Sequence, residues 1–97
     1  MSFFSHHTAS TIRYGVVVEV GSGSVMTAIV SSDPTLPHPT LIWSKREFVI
    51  FTPTRDPEQN SKEMLTTLMS AMMNLDSEGR AALYQHNPHA HIETIQV

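Results

Sequence analysis

Apolar and polar positions change their period along the chain, and each change marks an element. Residues 14–20, Tyr-Gly-Val-Val-Val-Glu-Val, are almost continuously apolar, the pattern of a strand buried on both faces inside a sheet. Residues 25–32 form a second β-rich run, so the short stretch 21–24, Gly-Ser-Gly-Ser, closes a β-hairpin. Residues 33–39 hold three prolines and predict a surface loop. A third strand spans residues 40–51, with Phe48 and Ile50 on one face, Val49 and Phe51 on the other, and Lys45, Arg46 and Glu47 as a solvated middle.

After a turn at residues 52–55, Asp56-Pro57-Glu58-Gln59 carries the signals of a helix start, with Asp at the N-cap and Pro at the first helical position. Met64, Leu65, Leu68, Met69, Met72 and Met73 then follow the 3.6-residue period of an amphipathic helix. Asp76 and Gly79 interrupt that pattern and predict a break or kink. Ala81, Ala82, Leu83 and Tyr84 resume it as a second helical piece ending near Gln85, before Asn87-Pro88. Residues 92–97 alternate as a fourth strand. The predicted order is β-β-β-α-β, an α/β (α+β) arrangement, with residues 1–12 as a flexible lead-in and 13–97 as the domain. The last strand has no flanking turn, and one helix covers only one face of four strands. The expectation is therefore the front part of a larger protein, with an incomplete active site.

Composition narrows the function classes. The 97 residues are 40% hydrophobic and 15% charged, which fits a folded domain rather than a disordered chain. Net charge is −3 and the six Lys/Arg residues are scattered, so the basic footprint of a nucleic-acid binder is missing. Without cysteine there is neither a disulfide framework nor a thiolate zinc site. No apolar run approaches the ~20 residues of a membrane span, and residues 1–7 lack the features of a signal peptide. A cytoplasmic setting is expected.

The candidate chemistry lies at the first hairpin. Glu19 interrupts a valine run immediately before the bend, and a carboxylate in such a place needs pairing, water or metal. Gly21, Ser22, Gly23 and Ser24 offer closely spaced backbone N–H groups and two hydroxyls, the ingredients of an anion-holding nest. Alternation along the strand places Glu19 on the same side as Gly21, where a hydrated divalent cation would bridge acid and phosphate. A dinucleotide-binding fingerprint does not fit, because Met26 occupies its third glycine position and a strand, not a helix, follows. No Gly-Lys-Ser/Thr loop occurs. The plain alternative is a hairpin with a small-residue bend and no ligand.

This pattern of apolar-acid-apolar-Gly-Ser-x-Ser followed by a second strand resembles the first phosphate motif of the actin-like ATPase superfamily. Within it the likeness is to the bacterial FtsA and PilM groups, of cell division and type IV pilus assembly. Residues 14–97 follow that family's opening order of three antiparallel strands, a helix and a fourth strand, and residues 18–28 carry the motif. The resemblance implies a partial ribonuclease-H-like, actin-like subdomain in which Gly21, Ser22, Gly23 and Ser24 hold the β- and γ-phosphates of ATP. It also implies that Glu19 acts on magnesium through bound water, and that the protein works through partners or self-assembly. Two positions depart from the family. Glu19 stands for an aspartate, moving the carboxylate by about the ~1.5 Å of a C–C bond. Met26 matches a position that is often basic, so a phosphate-neutralising charge is missing there. Both departures suit at most a weak ATPase. Beside this reading stand a non-nucleotide β-sheet adaptor that recruits protein through its third strand, and a sugar- or acid-kinase fragment that would need a catalytic aspartate elsewhere.

Other clusters carry less. His86, His89 and His91 could ligate zinc or nickel, but Pro88 breaks any shared helix face, and a polar helix-to-strand connection explains them. His6 and His7 fall in the lead-in. The methionines at 64, 69, 72 and 73 read as core at helical spacing rather than as a pliable groove. Trp43 reads as packing at a sheet edge, and Ser22 or Ser24 has no His or Asp at a spacing that would make it a nucleophile.

Overall fold

A computed structural model describes residues 11–50 and 56–97. Residues 1–10 of the lead-in expected at 1–12, Phe51 and the turn at 52–55 lie outside the described residues. Strands β1 (Arg13–Val20), β2 (Ser24–Ser32) and β3 (Thr40–Phe48) are followed by helix α1 (Pro57–Asn74), a π-helical turn (Leu75–Gly79), helix α2 (Arg80–His86) and strand β4 (Ile92–Gln96). The fold is α+β, with one mixed sheet of order β3-β2-β1-β4. β1 pairs antiparallel with β2 and parallel with β4, and β2 pairs antiparallel with β3. The chain therefore leaves the sheet at one edge and returns at the other through the helices.

Burial separates the two faces. Tyr14, Val16, Val18, Val25 and Ile29 join Ala71, Leu83 and Ala90 in the core, with Ile42, Trp43, Met64, Leu68, Met72 and Leu75 packed against it. Partners that face each other across the β1–β2 ladder, such as Val16 with Ile29, share this side. The alternate residues, among them Val17, Glu19, Met26 and Arg46, lie on the other side, where none of the described helices packs. β1 is interior as expected, but only one of its faces is covered: on the other, Val17 is half-buried and Glu19 is exposed.

The helix start forms as its residues predict. Asp56 Oδ1 accepts the Gln59 N–H at 2.8 Å, and Pro57 opens the helix, where its missing N–H costs nothing. The apolar helix set needs correction, because only Met64, Leu68 and Met72 reach the core, while Leu65, Met69 and Met73 are exposed. Each pair of neighbours, such as Met72 and Met73, is about 100° apart around the axis, so a single sheet face takes one stripe and not both. The expected break at Asp76 and Gly79 is a wide turn instead. Its flanking residues Asn74 and Arg80 keep right-handed helical dihedrals. A Cβ at Gly79 would lie 3.1 Å from both Ile29 Cδ1 and Trp43 Cε3, so the missing side chain lets the helix lie close to the sheet. One extra residue in the turn shifts the register and brings Leu83 into the core. The helix ends at His86, and Asn87, before Pro88, is extended.

β3 also differs from expectation. It stops at Phe48, although the alternation continues, with Val49 buried and Phe48 and Ile50 exposed at 73% and 75%. The run Lys45-Arg46-Glu47 is not uniformly solvated. Lys45 and Glu47 turn toward the helices, where Lys45 Nζ meets Glu78 Oε2 at 2.8 Å and Ser70 Oγ donates to Glu47 Oε1 at 2.9 Å. Arg46, between them, points the other way and is exposed. Trp43 is half-buried on this edge strand and packs against the core, as read.

Candidate functional site

The bend between β1 and β2 is held by few bonds. The Gly21 N–H donates to the Ser24 carbonyl at 2.9 Å, closing the hairpin just beyond the Val20–Val25 pair. The Gly23 carbonyl accepts the Val49 N–H at 2.9 Å, which ties the end of β3 to the bend. Val25 lies in strand β2, so the residues after the bend are not the helix that a dinucleotide fingerprint requires. Among the described residues no glycine has a positive φ. The bend thus lacks the alternating right- and left-handed backbone that curls successive N–H groups into a closed nest.

Neither packing nor backbone strain asks for glycine at position 23. A Cβ there would meet nothing within 4 Å, so the backbone lies open to anything approaching from solvent. The bend also lies at the carboxyl end of β1, and β4 runs parallel to β1. Open α/β sheets take their ligands outside the carboxyl ends of such strands.

Side chains complete the site. Glu19 is exposed and has no ion-pair partner among the described residues. It pairs across the ladder with Met26, and Met26 pairs in turn with Arg46. Directly paired residues point to the same face, so Glu19, Met26 and Arg46 form a row across three strands. The Arg46 guanidinium donates from Nη1 to Ser24 Oγ at 2.9 Å. Of the residues expected at the site, Glu19 and residues 21–24 are thus gathered at one end of the sheet. Arg46 was not anticipated. Its signal in the sequence is the strand alternation within Lys45-Arg46-Glu47, but the β2–β3 register that delivers it to Ser24 spans a proline-rich loop.

His86, His89 and His91 are not gathered as metal ligands. His86 stacks edge-on against Tyr14, with ring centroids 6.2 Å apart, and Asn87 Nδ2 donates to the Tyr14 hydroxyl at 3.1 Å. The His89 N–H donates to Asn87 Oδ1 at 3.0 Å, which makes this segment a tied connection into β4. Among the described residues no group of three His, Cys, Asp or Glu side chains is arranged to hold a metal ion. A second feature escaped the sequence reading: a groove of about 410 Å³ between the helices and β4, lined by Val16, Leu83, Ile92 and Ile95 with Arg80 and Tyr84. Arg80 there is paired with Asp76. No described helix is long and apolar enough to cross a membrane. Comparison of the chain with protein-family models, with curated proteins and with solved structures finds no match.

Proposed function

We propose that this chain is the N-terminal, phosphate-holding part of an actin-like ATP-binding protein of the kind used in bacterial cell division or pilus assembly. The observation that carries this reading is the open Gly-Ser bend at the carboxyl end of β1, flanked by a carboxylate and a guanidinium that have no ionic partners among the described residues. The element order supports it, because three antiparallel strands are followed by helices and a fourth strand, the order the resemblance implies.

Residues 21–24 would hold the β- and γ-phosphates through their remaining N–H groups and the two hydroxyls. The open space at Gly23 fits such an approach. Glu19, exposed on the same face, would orient water on a magnesium ion, the usual mode for a small cation that keeps its hydration. Magnesium would supply charge neutralisation between phosphate oxygens. One acidic group without a second carboxylate suits binding better than turnover, so at most a weak ATPase is expected. Nucleotide would act by closing one lobe on another and favouring assembly with protein partners or further copies.

The test is a mant-ATP titration of the full-length product that carries this chain, with and without magnesium, for wild type, Glu19→Ala and Gly23→Val. Saturable, magnesium-enhanced binding that both substitutions weaken supports the proposal. No binding by wild type removes it.

A second reading has its own support. β3 is an edge strand, and Leu41, Phe48 and Ile50 are exposed on or beside it. An adaptor of the same fold could recruit protein there by strand addition. It predicts that Phe48→Ser abolishes partner capture while nucleotide has no effect.

A further inference from the structure

We infer that Arg46 supplies, from the neighbouring strand, the phosphate-neutralising charge that position 26 lacks, so that the Gly-Ser bend is a two-strand site for the phosphate groups of a di- or triphosphate. The inference rests on the phosphate-binding reading above and adds a residue that the motif does not contain.

Register carries it first. Arg46 is the direct cross-strand partner of Met26. Paired residues in an antiparallel ladder stand side by side on one face. A cation at 46 therefore stands one strand spacing, about 4.8 Å, from where a basic residue at 26 would stand. The Met26 side chain, half-buried between Glu19 and Arg46, forms an apolar floor.

Bonding carries it second. Of the described Lys and Arg residues, Lys45, Lys62 and Arg80 each meet a carboxylate, Glu78, Glu58 and Asp76 respectively, whereas Arg13 and Arg46 do not. Arg46 meets a neutral hydroxyl instead. Its charge is left uncompensated, and a guanidinium has five N–H donors, so most remain for a ligand. The bond also prepares Ser24. By accepting from Arg46, the hydroxyl keeps its own proton to donate. The guanidinium and the Ser24 hydroxyl are thus held together at the bend, and at neighbouring Gly23 a Cβ would meet nothing within 4 Å. Planar, forked N–H groups match phosphate oxygens well.

Spacing carries it third. Glu19 and Arg46 are two strand spacings apart, roughly 9.5 Å, with Met26 between them. The two side chains form no ion pair with each other. The spacing accommodates a phosphate on the Arg46 side and a hydrated cation on the Glu19 side, which keeps the anion away from the carboxylate.

The experiment is calorimetric titration of the full-length product with inorganic triphosphate and with ATP, each with magnesium. Wild type is compared with Arg46→Gln, Arg46→Lys and Lys45→Gln. Arg46→Gln and Lys45→Gln remove the same charge from adjacent positions on opposite faces, and circular dichroism checks that each variant is folded. Arg46→Gln is expected to weaken both ligands about tenfold or more, the loss of one charged hydrogen-bonding contact. Arg46→Lys should recover part of that loss as a point charge without the fork, and Lys45→Gln should bind as wild type does. Unchanged binding by Arg46→Gln overturns the inference and leaves the nucleotide reading standing. An equal loss in Lys45→Gln also overturns it, since the attraction would then be general. Arg46-dependent triphosphate binding with ATP held no more tightly supports the inference and withdraws the nucleotide reading. Binding of neither ligand by wild type overturns both.

Discussion

The two faces of the sheet are built from the same strands and treat their charges in opposite ways. On the helix side, Val25 and Ile29 are 0% and 2% exposed, and the charged residues of β3 are engaged, Lys45 with Glu78 and Glu47 through Oε1 with Ser70, although Glu47 Oε2 is buried without a hydrogen-bond partner among the described residues. On the open side, among the described residues, Glu19 has no ion-pair partner and the Arg46 guanidinium bonds to a serine hydroxyl rather than to a carboxylate. The helix side is where stability resides, since apolar area removed from water dominates folding. The open side contributes little to that term and keeps charge available. That difference is what the proposed site rests on: the open bend leaves its ionic groups to water or to a ligand.

The largest expected contrast comes from truncating a side chain on each face. Ile29→Ala should cost about 2–5 kcal/mol, because the site is sealed between β1, β3 and the π-helical turn. Val17→Ala, on the open face, should cost about 1 kcal/mol. Urea unfolding of the two variants checks this, and equal losses would break the comparison. Gly79→Ala follows. Added volume in a packed site costs about 1–3 kcal/mol, set against a helix-propensity gain of up to about 1 kcal/mol. With Ile29, Trp43 and Leu75 all within 3.2 Å of the added carbon, a net loss is expected. A gain in stability would mean that the helix does not press on the sheet there.

Smaller effects sharpen the contrast. Lys45→Gln should lower the urea midpoint slightly, since it removes the ion pair with Glu78, whereas Arg46→Gln should leave the midpoint unchanged. The hydrogen bond to Glu78 raises the Lys45 pKa above its ordinary 10.5. That contribution is complete below this value and fades as pH rises through the higher folded pKa. The smallest effect lies in the loop after β2. The Thr35 hydroxyl and N–H both donate to Asp33 Oδ1, at 2.7 and 2.9 Å, and hold its carboxyl below the ordinary 3.8. The turn's stabilisation is therefore present above that value and is lost as pH falls through the lower folded pKa. NMR titration of Asp33 should show its pKa rising toward the ordinary value in Thr35→Val.

Much of this was legible in the residues themselves. The hairpin follows from two β-branched runs around small residues, and the α1 cap from Asp56-Pro57, because both signals are local. What failed was the phase of elements against one another. Met64-Leu65, Leu68-Met69 and Met72-Met73 are apolar doublets, so either of two stripes could face the sheet, and only the docked helix selects 64, 68 and 72. Gly79 looked like an interruption because a sequence does not show that Trp43 and Ile29 wait beneath it. Arg46 escaped notice because its place beside Ser24 depends on a register set across residues 33–39. Strand alternation would have separated it from Lys45 and Glu47.

The central claim is that the open end of the sheet, at the Gly-Ser bend, binds phosphate. Its most direct test is a ¹H–¹⁵N correlation titration of this chain with inorganic triphosphate and magnesium. Saturable shifts should concentrate at Glu19, Gly21, Ser22, Gly23, Ser24 and Met26, and leave Ile29, Leu83 and Ile92 in place. No shift at the bend, or shifts centred on the groove beside β4, would contradict it.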